Sequence, residues 1–333
     1  MPGPFKHTIC ILGRFWLTTL KPNEIKSKFA GSVDILSCVD QILQDFIVED
    51  IIFSPHTIGH IYQFSKKIIQ CSTEVVVICT HSTHHALTAA ALLLGGYLAV
   101  CEHLDAKAIA DAFKLLSARF VPFCRGLQHD GEGLAVHDCW AALHRAASKG
   151  WLDFSDDPAD GSIDMLEHLH YASTANGRLH VVVPDKLLAF PSPCDLPAGC
   201  EWADEDGERR FSAGFYADIL SDYDASLVVC CAGDLPYPAA ALTERGLAVE
   251  VLAGDGGCRQ LLAVGDRLLT LAGAAPGAMA VHGGGGWEEG VLLAACLIRL
   301  HGFRAREALA WTRMTHPAGA VAEPRLALYP AAN

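Results

Sequence analysis

The residues best placed to do chemistry lie in Ala278-Met279-Ala280-Val281-His282-Gly283-Gly284-Gly285-Gly286-Trp287-Glu288-Glu289-Gly290. An apolar run ends in a histidine, four glycines follow, and apolar residues resume after Gly290. The segment therefore reads as a buried strand, a glycine loop and the opening turn of a helix. That geometry turns backbone N–H groups and the positive end of a helix toward an anion, which suits it to phosphate. The side chains do not complete the chemistry. Breaking a phosphoester needs a nucleophile and a cation to grip the phosphoryl oxygens, yet Gly283 has no reactive group and Glu288 and Glu289 bring negative charge. Consecutive glycines are costly to order, so both glutamates are expected to face the helix N-terminus and take up its N–H groups.

Three further groups could carry function. Asp255, inside Leu252-Ala253-Gly254-Asp255-Gly256-Gly257, has the residue type of a general acid, but an acid without a nucleophile has nothing to protonate, and Asp among glycines reads as turn chemistry. His81, His84 and His85, with His56 and His60 upstream, could bind zinc or phosphate. No second ligand pair at a recognised spacing supports this, so they read as structural or solvent-facing, with no metal and no cofactor expected. The acidic run Glu201, Asp204, Glu205, Asp206 and Glu208 reads as a solvated surface, with docking of a basic partner segment as its functional alternative.

These groups must be positioned by a chain of 333 residues, long enough for two ordinary domains. Hydrophobic residues at 51% and charged residues at 19% point to a compact chain rather than a disordered one. The apolar run Ala86 to Cys101 is too short for a membrane span and reads as a buried helix. A formal charge of −13 argues against a nucleic-acid partner and leaves proteins with basic segments as the expected class. The start Met-Pro-Gly-Pro-Phe-Lys-His lacks the features of a secretory signal, so a cytoplasmic chain is expected. Thirteen cysteines without C-x-x-C pairs, among them Cys10, Cys79, Cys230, Cys231 and Cys296 in apolar runs, read as reduced core thiols.

Strands are expected in Thr8 to Leu20, Val33 to Cys38 and Glu74 to Cys79. Helices follow over His84 to Val100, after the cap Asp105 with Ile109 and Phe113 on one face, and over Val136 to Lys149, stopped by Gly150. Acids with Pro158 and Gly161 mark a connection after Trp151. Beyond it, Leu179 to Val183 and Leu187 to Phe190 form a hairpin about Pro-Asp-Lys. Ser226 to Cys231 and Ala248 to Leu252 are strands around a helix, Pro238 to Arg245, capped by Gly246. After the glycine loop come a helix with Leu292, Cys296 and Leu300 on one face and another from Arg304 to Thr315, stopped before Pro317. Strand, loop and two helices occur after both Val75 and Met279, a topological resemblance between the halves.

Several segments carry a family resemblance: Arg14-Phe15-Trp16-Leu17-Thr18-Thr19-Leu20, Arg119-Phe120-Val121-Pro122-Phe123, His137-Asp138-Cys139-Trp140, Gly150-Trp151-Leu152-Asp153-Phe154, Val183-Pro184-Asp185-Lys186-Leu187-Leu188-Ala189-Phe190, Gly290 to Cys296, and Ala310-Trp311-Thr312-Arg313. Over nearly its whole length the chain resembles the cell division cycle 14, or mitotic-exit, dual-specificity protein phosphatases. The resemblance implies an α/β protein of two tandem phosphatase-like domains, each a central, mostly parallel sheet flanked by helices. Residues 1–155 would be the non-catalytic domain, 156–178 an acidic linker and 179–333 the domain holding the phosphate loop. It also implies an acidic groove between the domains for phosphoserine-proline peptides with basic residues downstream.

The catalytic part of the resemblance fails to transfer. The family's loop, H-C-x5-R, places its cysteine at Gly283; one residue is missing from the loop, so its arginine falls on Glu289 or Glu288. The hydroxyl residue after that arginine is replaced by Gly290. Asp255 resembles the family's acid with a one-residue offset, and Arg325 and Leu326 follow Pro324 where the family has glutamines. In the first domain, the sixth residue after Cys79 is His85 rather than arginine. The expected protein is thus a catalytically inactive phosphatase fold, a pseudophosphatase that serves as a protein-binding or scaffold module, with a cytoskeletal or ciliary axonemal assembly as a narrower expectation. The rival expectation is an active phosphatase with a non-standard nucleophile, using His282 or Asp255 in a new role.

Overall fold

The computed structural model describes residues 8–19, 24, 33–37, 52–53, 56–125, 133–197, 199–205, 207–252, 258–283 and 287–317. The chain divides into two compact units, residues 1–158 and 159–333. The segment 156–178, expected as a linker, holds the helix Met165–Tyr171, with Met165 and His168 buried. Asp164 caps that helix, its carboxylate accepting from Leu166 N at 2.8 Å and Glu167 N at 3.0 Å.

In the first unit, strands β1 (Thr8–Leu12), β2 (Phe15–Thr18), β3 (Asp34–Ser37) and β5 (Val76–Cys79) form one sheet in the order β1-β2-β5-β3, while β4 (Ile52–Phe53) pairs with β6 (Cys124–Arg125). β1 and β2 make an antiparallel hairpin about Gly13, whose φ of 52° suits glycine, and β5 runs parallel to β2 and β3. A central parallel strand is covered on both faces, and Val76, Val77 and Ile78 are all fully buried. Cys10 departs from expectation: it is exposed on β1, whereas Cys79 and Cys139 are buried.

The helix His84–Val100 has the expected bounds, and every residue from Ala86 to Val100 is buried. It packs closely because it carries glycine where neighbours press in. A Cβ at Gly95 would lie 2.1 Å from Trp140 Nε1, and one at Gly96 would lie 2.6 Å from Ile61 Cγ2. The same indole N–H donates to Ala91 O at 3.2 Å, so the ring has no room to retreat without losing that bond. Gly95→Ala is therefore expected to destabilise the first unit by about 3 kcal/mol, at the upper end of overpacking costs, despite the better helix propensity of alanine. Chemical denaturation of the full chain checks this; a neutral or stabilising change would refute it. No helix among the described residues is long and apolar enough to cross a membrane.

The second unit holds β7 (His180–Val183), β8 (Leu187–Ala189), β9 (Trp202–Glu205), β10 (Glu208–Phe211), β11 (Ala225–Cys230), β12 (Ala248–Val251) and β13 (Ala278–His282). Five of them form a sheet in the order β12-β11-β13-β8-β7, parallel except for the β7–β8 hairpin, whose turn residue Asp185 has φ 57°. β13 is central and completely buried. The helix Trp287–His301 follows the loop, and Ala305–Thr315 follows it, ending before Pro317 as expected. Trp311 ties the last helix to the sheet by donating to Val182 O at 2.8 Å.

Three expectations need correction. Leu300 is 46% exposed rather than on the buried face of Leu292 and Cys296, because it lies in the last turn of its helix. The helix expected from Pro238 to Arg245 shortens to Ala240–Thr243, although Gly246 does adopt the left-handed φ of 82°. Helices Ala213–Asp222 and Cys258–Ala274 were not foreseen, though the spacing of Leu261, Val264, Leu268 and Leu271 carried a helical signal for the second. The repeated pattern of strand, loop and two helices is present in both units, each time after a strand held between parallel neighbours.

Candidate functional site

β13 delivers His282 and Gly283 to the C-terminal edge of the parallel strands, where open α/β sheets place their ligands. His282 is fully buried and held on both ring nitrogens: Nδ1 lies 2.9 Å from Ser192 Oγ and Nε2 lies 2.7 Å from Tyr237 Oη. Its carbonyl accepts from Cys231 N at 2.8 Å, which fastens the end of β13 to β11. Burial lowers the His282 pKa to about 4 and pushes the Tyr237 phenol above its ordinary value. The ring is therefore neutral at pH 7, and its phenol partner is neutral as well. A Ser192–His282 pair resembles a nucleophile with its base. Here desolvation disfavours the imidazolium. The two hydrogen bonds fix the ring at the end of β13.

Gly283 is buried, and the space a side chain would enter is closely bounded. A Cβ at this position would lie 3.3 Å from Glu289 Oε2, 3.6 Å from Glu289 Cβ and 3.7 Å from Cys231 Cβ. Glu289, in the first turn of the helix Trp287–His301, thus turns its carboxylate in beside Gly283. Its Oε1 meets His316 Nε2 at 3.3 Å, with both side chains only 5% exposed. Two buried groups from distant parts of the sequence form this pair, and local sequence carried no signal for His316. The space beside Gly283 thus holds a carboxylate.

The other expected residues divide between those described and those outside. Gly284, Gly285, Gly286, Asp206 and Asp255 lie outside the described residues, as do the side chains of Trp287 and Glu288. Gly290 is buried in its helix. The acidic run sits on the β9–β10 hairpin and is largely paired: Asp204 with Arg209 at 2.9 Å, Glu205 with Arg210 at 3.4 Å and Glu208 with Arg178 at 3.2 Å. The Arg209 guanidinium also lies 3.9 Å from the ring centre of Trp202, itself 48% exposed. Glu201 is exposed at the hairpin's start. These are surface pairs, each worth about 0–1 kcal/mol, so a partner's basic groups could exchange into them at little cost.

Of the five expected histidines in the first unit, His56 and His60 meet, with their ring centres 5.6 Å apart. His81, His84 and His85 are exposed, while His56 is buried and His60 completes a capping box with Thr57, its Nδ1 lying 2.8 Å from the threonine hydroxyl. Among the described residues, no three of His, Cys, Asp or Glu are placed to hold a metal ion. Cys79 ends β5 in the position analogous to a loop thiol, and burial raises its pKa to about 11, so it remains a thiol at neutral pH.

A central parallel strand, a loop and a following helix occur in both units, the loop being glycine-rich only in the second, and this is the α/β arrangement of a dual-specificity-phosphatase fold. Residues 9–146 match the family described as "Dual specificity protein phosphatase, N-terminal half". Over most of its length the chain is similar to CDC14 dual-specificity phosphatases. It is 25% identical to human dual specificity protein phosphatase CDC14C over 301 residues, covering 88% of this chain and 64% of that protein. It is 27% identical to tyrosine-protein phosphatase cdc-14 of Caenorhabditis elegans over 242 residues, covering 71% of this chain and 32% of that one. The chain thus spans about a third to two thirds of the length of these relatives. Among solved structures, a protein tyrosine phosphatase from Leishmania major matches 44% of this chain and 87% of its own, with 21% identity and a TM-score of 0.34.

Proposed function

We propose that this chain is a catalytically silent member of the phosphatase fold that works as a protein-binding module. One observation carries the reading: the position of the nucleophile is Gly283, and the nearest functional group is the carboxylate of Glu289, 3.3 Å from where a side chain would begin. Sign decides the matter. At about 4 Å and an effective dielectric of 20, a pair of unit charges is worth about 4 kcal/mol, so exchanging a guanidinium for a carboxylate turns attraction for phosphate into repulsion of that order. The neutral, buried thiol of Cys79 offers no substitute in the first unit.

The partner class is a protein with a basic segment. The net charge of −13 favours it, and the exchangeable ion pairs of the β9–β10 hairpin offer it Asp204, Glu205 and Glu208 beside an exposed Trp202. Purified protein is expected to hydrolyse neither phosphoserine nor phosphotyrosine peptides above the rate in buffer. Phosphate release that disappears on substitution of one loop residue would overturn the reading. Affinity capture with a salt series tests the binding role, since a partner held by charge on this hairpin is lost as ionic strength rises.

A further inference from the structure

Four buried titratable side chains of the second unit form a line that the site does not use. His168, on the helix Met165–Tyr171, lies 6.1 Å ring to ring from His180 at the start of β7; His180 lies 5.1 Å from His316, just past the helix Ala305–Thr315; His316 Nε2 lies 3.3 Å from Glu289 Oε1. No more than 4% of any of the four is exposed. Among the described residues, none makes a hydrogen bond to Nδ1 of the three imidazoles or to Oε1 of Glu289. Apolar residues would pack these positions without leaving polar atoms unpaired, so the arrangement weakens the closed state.

Its charges limit how many protons it accepts. Arg178 lies near His180, and the Cys230 thiol lies near Glu289. The one carboxylate of the line, Glu289, meets His316 and reaches neither His180 nor His168. A proton on His180 would sit near Arg178, and one on His168 would sit beside that on His180. Once the elements separate, water solvates each ring.

We propose that this line is a proton-operated latch: below neutral pH, proton uptake by His180 and His168 detaches the end of the helix Ala305–Thr315 and the helix Met165–Tyr171 from β7 and uncovers Glu289 beside the glycine loop. Burial holds His168 down at about 4 and His180 well below its ordinary value, as closure against protons requires. The latch is independent of what the loop or the hairpin binds.

Hydrogen exchange followed by mass spectrometry on the full chain between pH 7.5 and 5, corrected for intrinsic rates, tests it. Because two protons drive opening, the opening constant over residues 165–183 and 305–316 is expected to rise about 100-fold per pH unit below about 6.5, while β11 and β13 stay protected. His180→Phe and His168→Phe are each expected to reduce the dependence to about tenfold per unit. His180→Asn serves if the phenylalanine variant does not fold. Opening constants in β11 and β13 that equal those of the latch segments would assign proton uptake to global unfolding and overturn the latch, as would an unchanged slope in both single variants.

Discussion

Lowering the pH from 7 to 4 is expected to remove about 6 kcal/mol of folding stability from the second unit, enough to unfold a domain of ordinary stability. His168 and His282 are buried as neutral rings, and desolvation holds each at about 4 against an ordinary 6.5. The unfolded chain takes up both protons near 6.5, whereas the folded chain takes them up only near 4. Their folded pKa values are depressed, so the stability is whole above 6.5, declines as pH falls through the interval and is gone below 4. One pKa unit is about 1.4 kcal/mol, which gives about 3 kcal/mol for each histidine. His180 acts in the same direction. The first unit carries a similar liability at His56, lowered to about 3, so its loss extends further into acid. Urea denaturation of the full chain at a series of pH values measures this. His168→Phe should recover about half of the loss; a midpoint that stays flat between pH 6.5 and 4 would sink the account.

Placing cysteine at Gly283 is expected to make a cross-link rather than an enzyme. The new Cβ would lie 3.7 Å from Cys231 Cβ, within the usual range of about 3.5–4.5 Å for a disulfide. The two positions sit side by side because Cys230 and His282 are in register on the parallel strands β11 and β13. Closing a loop of about 50 residues would add about 4 kcal/mol under oxidising conditions, less any strain from displacing the Glu289 carboxylate. Peptide mapping with and without reductant identifies the bond, and Cys231→Ser should abolish it. In the reduced protein the thiol would face Glu289, which disfavours a thiolate. Even Gly283→Cys with Glu289→Arg is expected to hydrolyse little, because the loop is expected to be one residue short of the H-C-x5-R pattern and an arginine at 289 would face His316 in place of the carboxylate. Robust phosphate release by the double variant would show that the gap in the loop is misplaced.

Local pattern made much of the fold legible. β-branched density marked β5, apolar continuity marked the helix His84–Val100, Asp105 marked a cap, and Pro-Asp-Lys marked the turn between β7 and β8. These signals act within a few residues, so sequence alone exposes them. Exposure was harder to read where one face of an element meets solvent: Cys10 and Leu300 look apolar in sequence, but one lies on an outer strand and the other in a final helical turn. The acidic hairpin read as free negative charge because its arginine partner Arg178 is remote in sequence and Arg209 and Arg210 become partners only once β9 and β10 pair.

The sequence by itself determined what the loop lacks, since no fold can supply sulfur at Gly283 or a guanidinium at Glu289. Only the tertiary structure decided what stands there instead. Folding brings Glu289 within 3.3 Å of His316, sets His316 against His180 and His180 against His168, and lays Cys231 beside Gly283. Those neighbours come from separate strands and helices. Their proximity is fixed by how the elements pack, and no spacing along the chain encodes it.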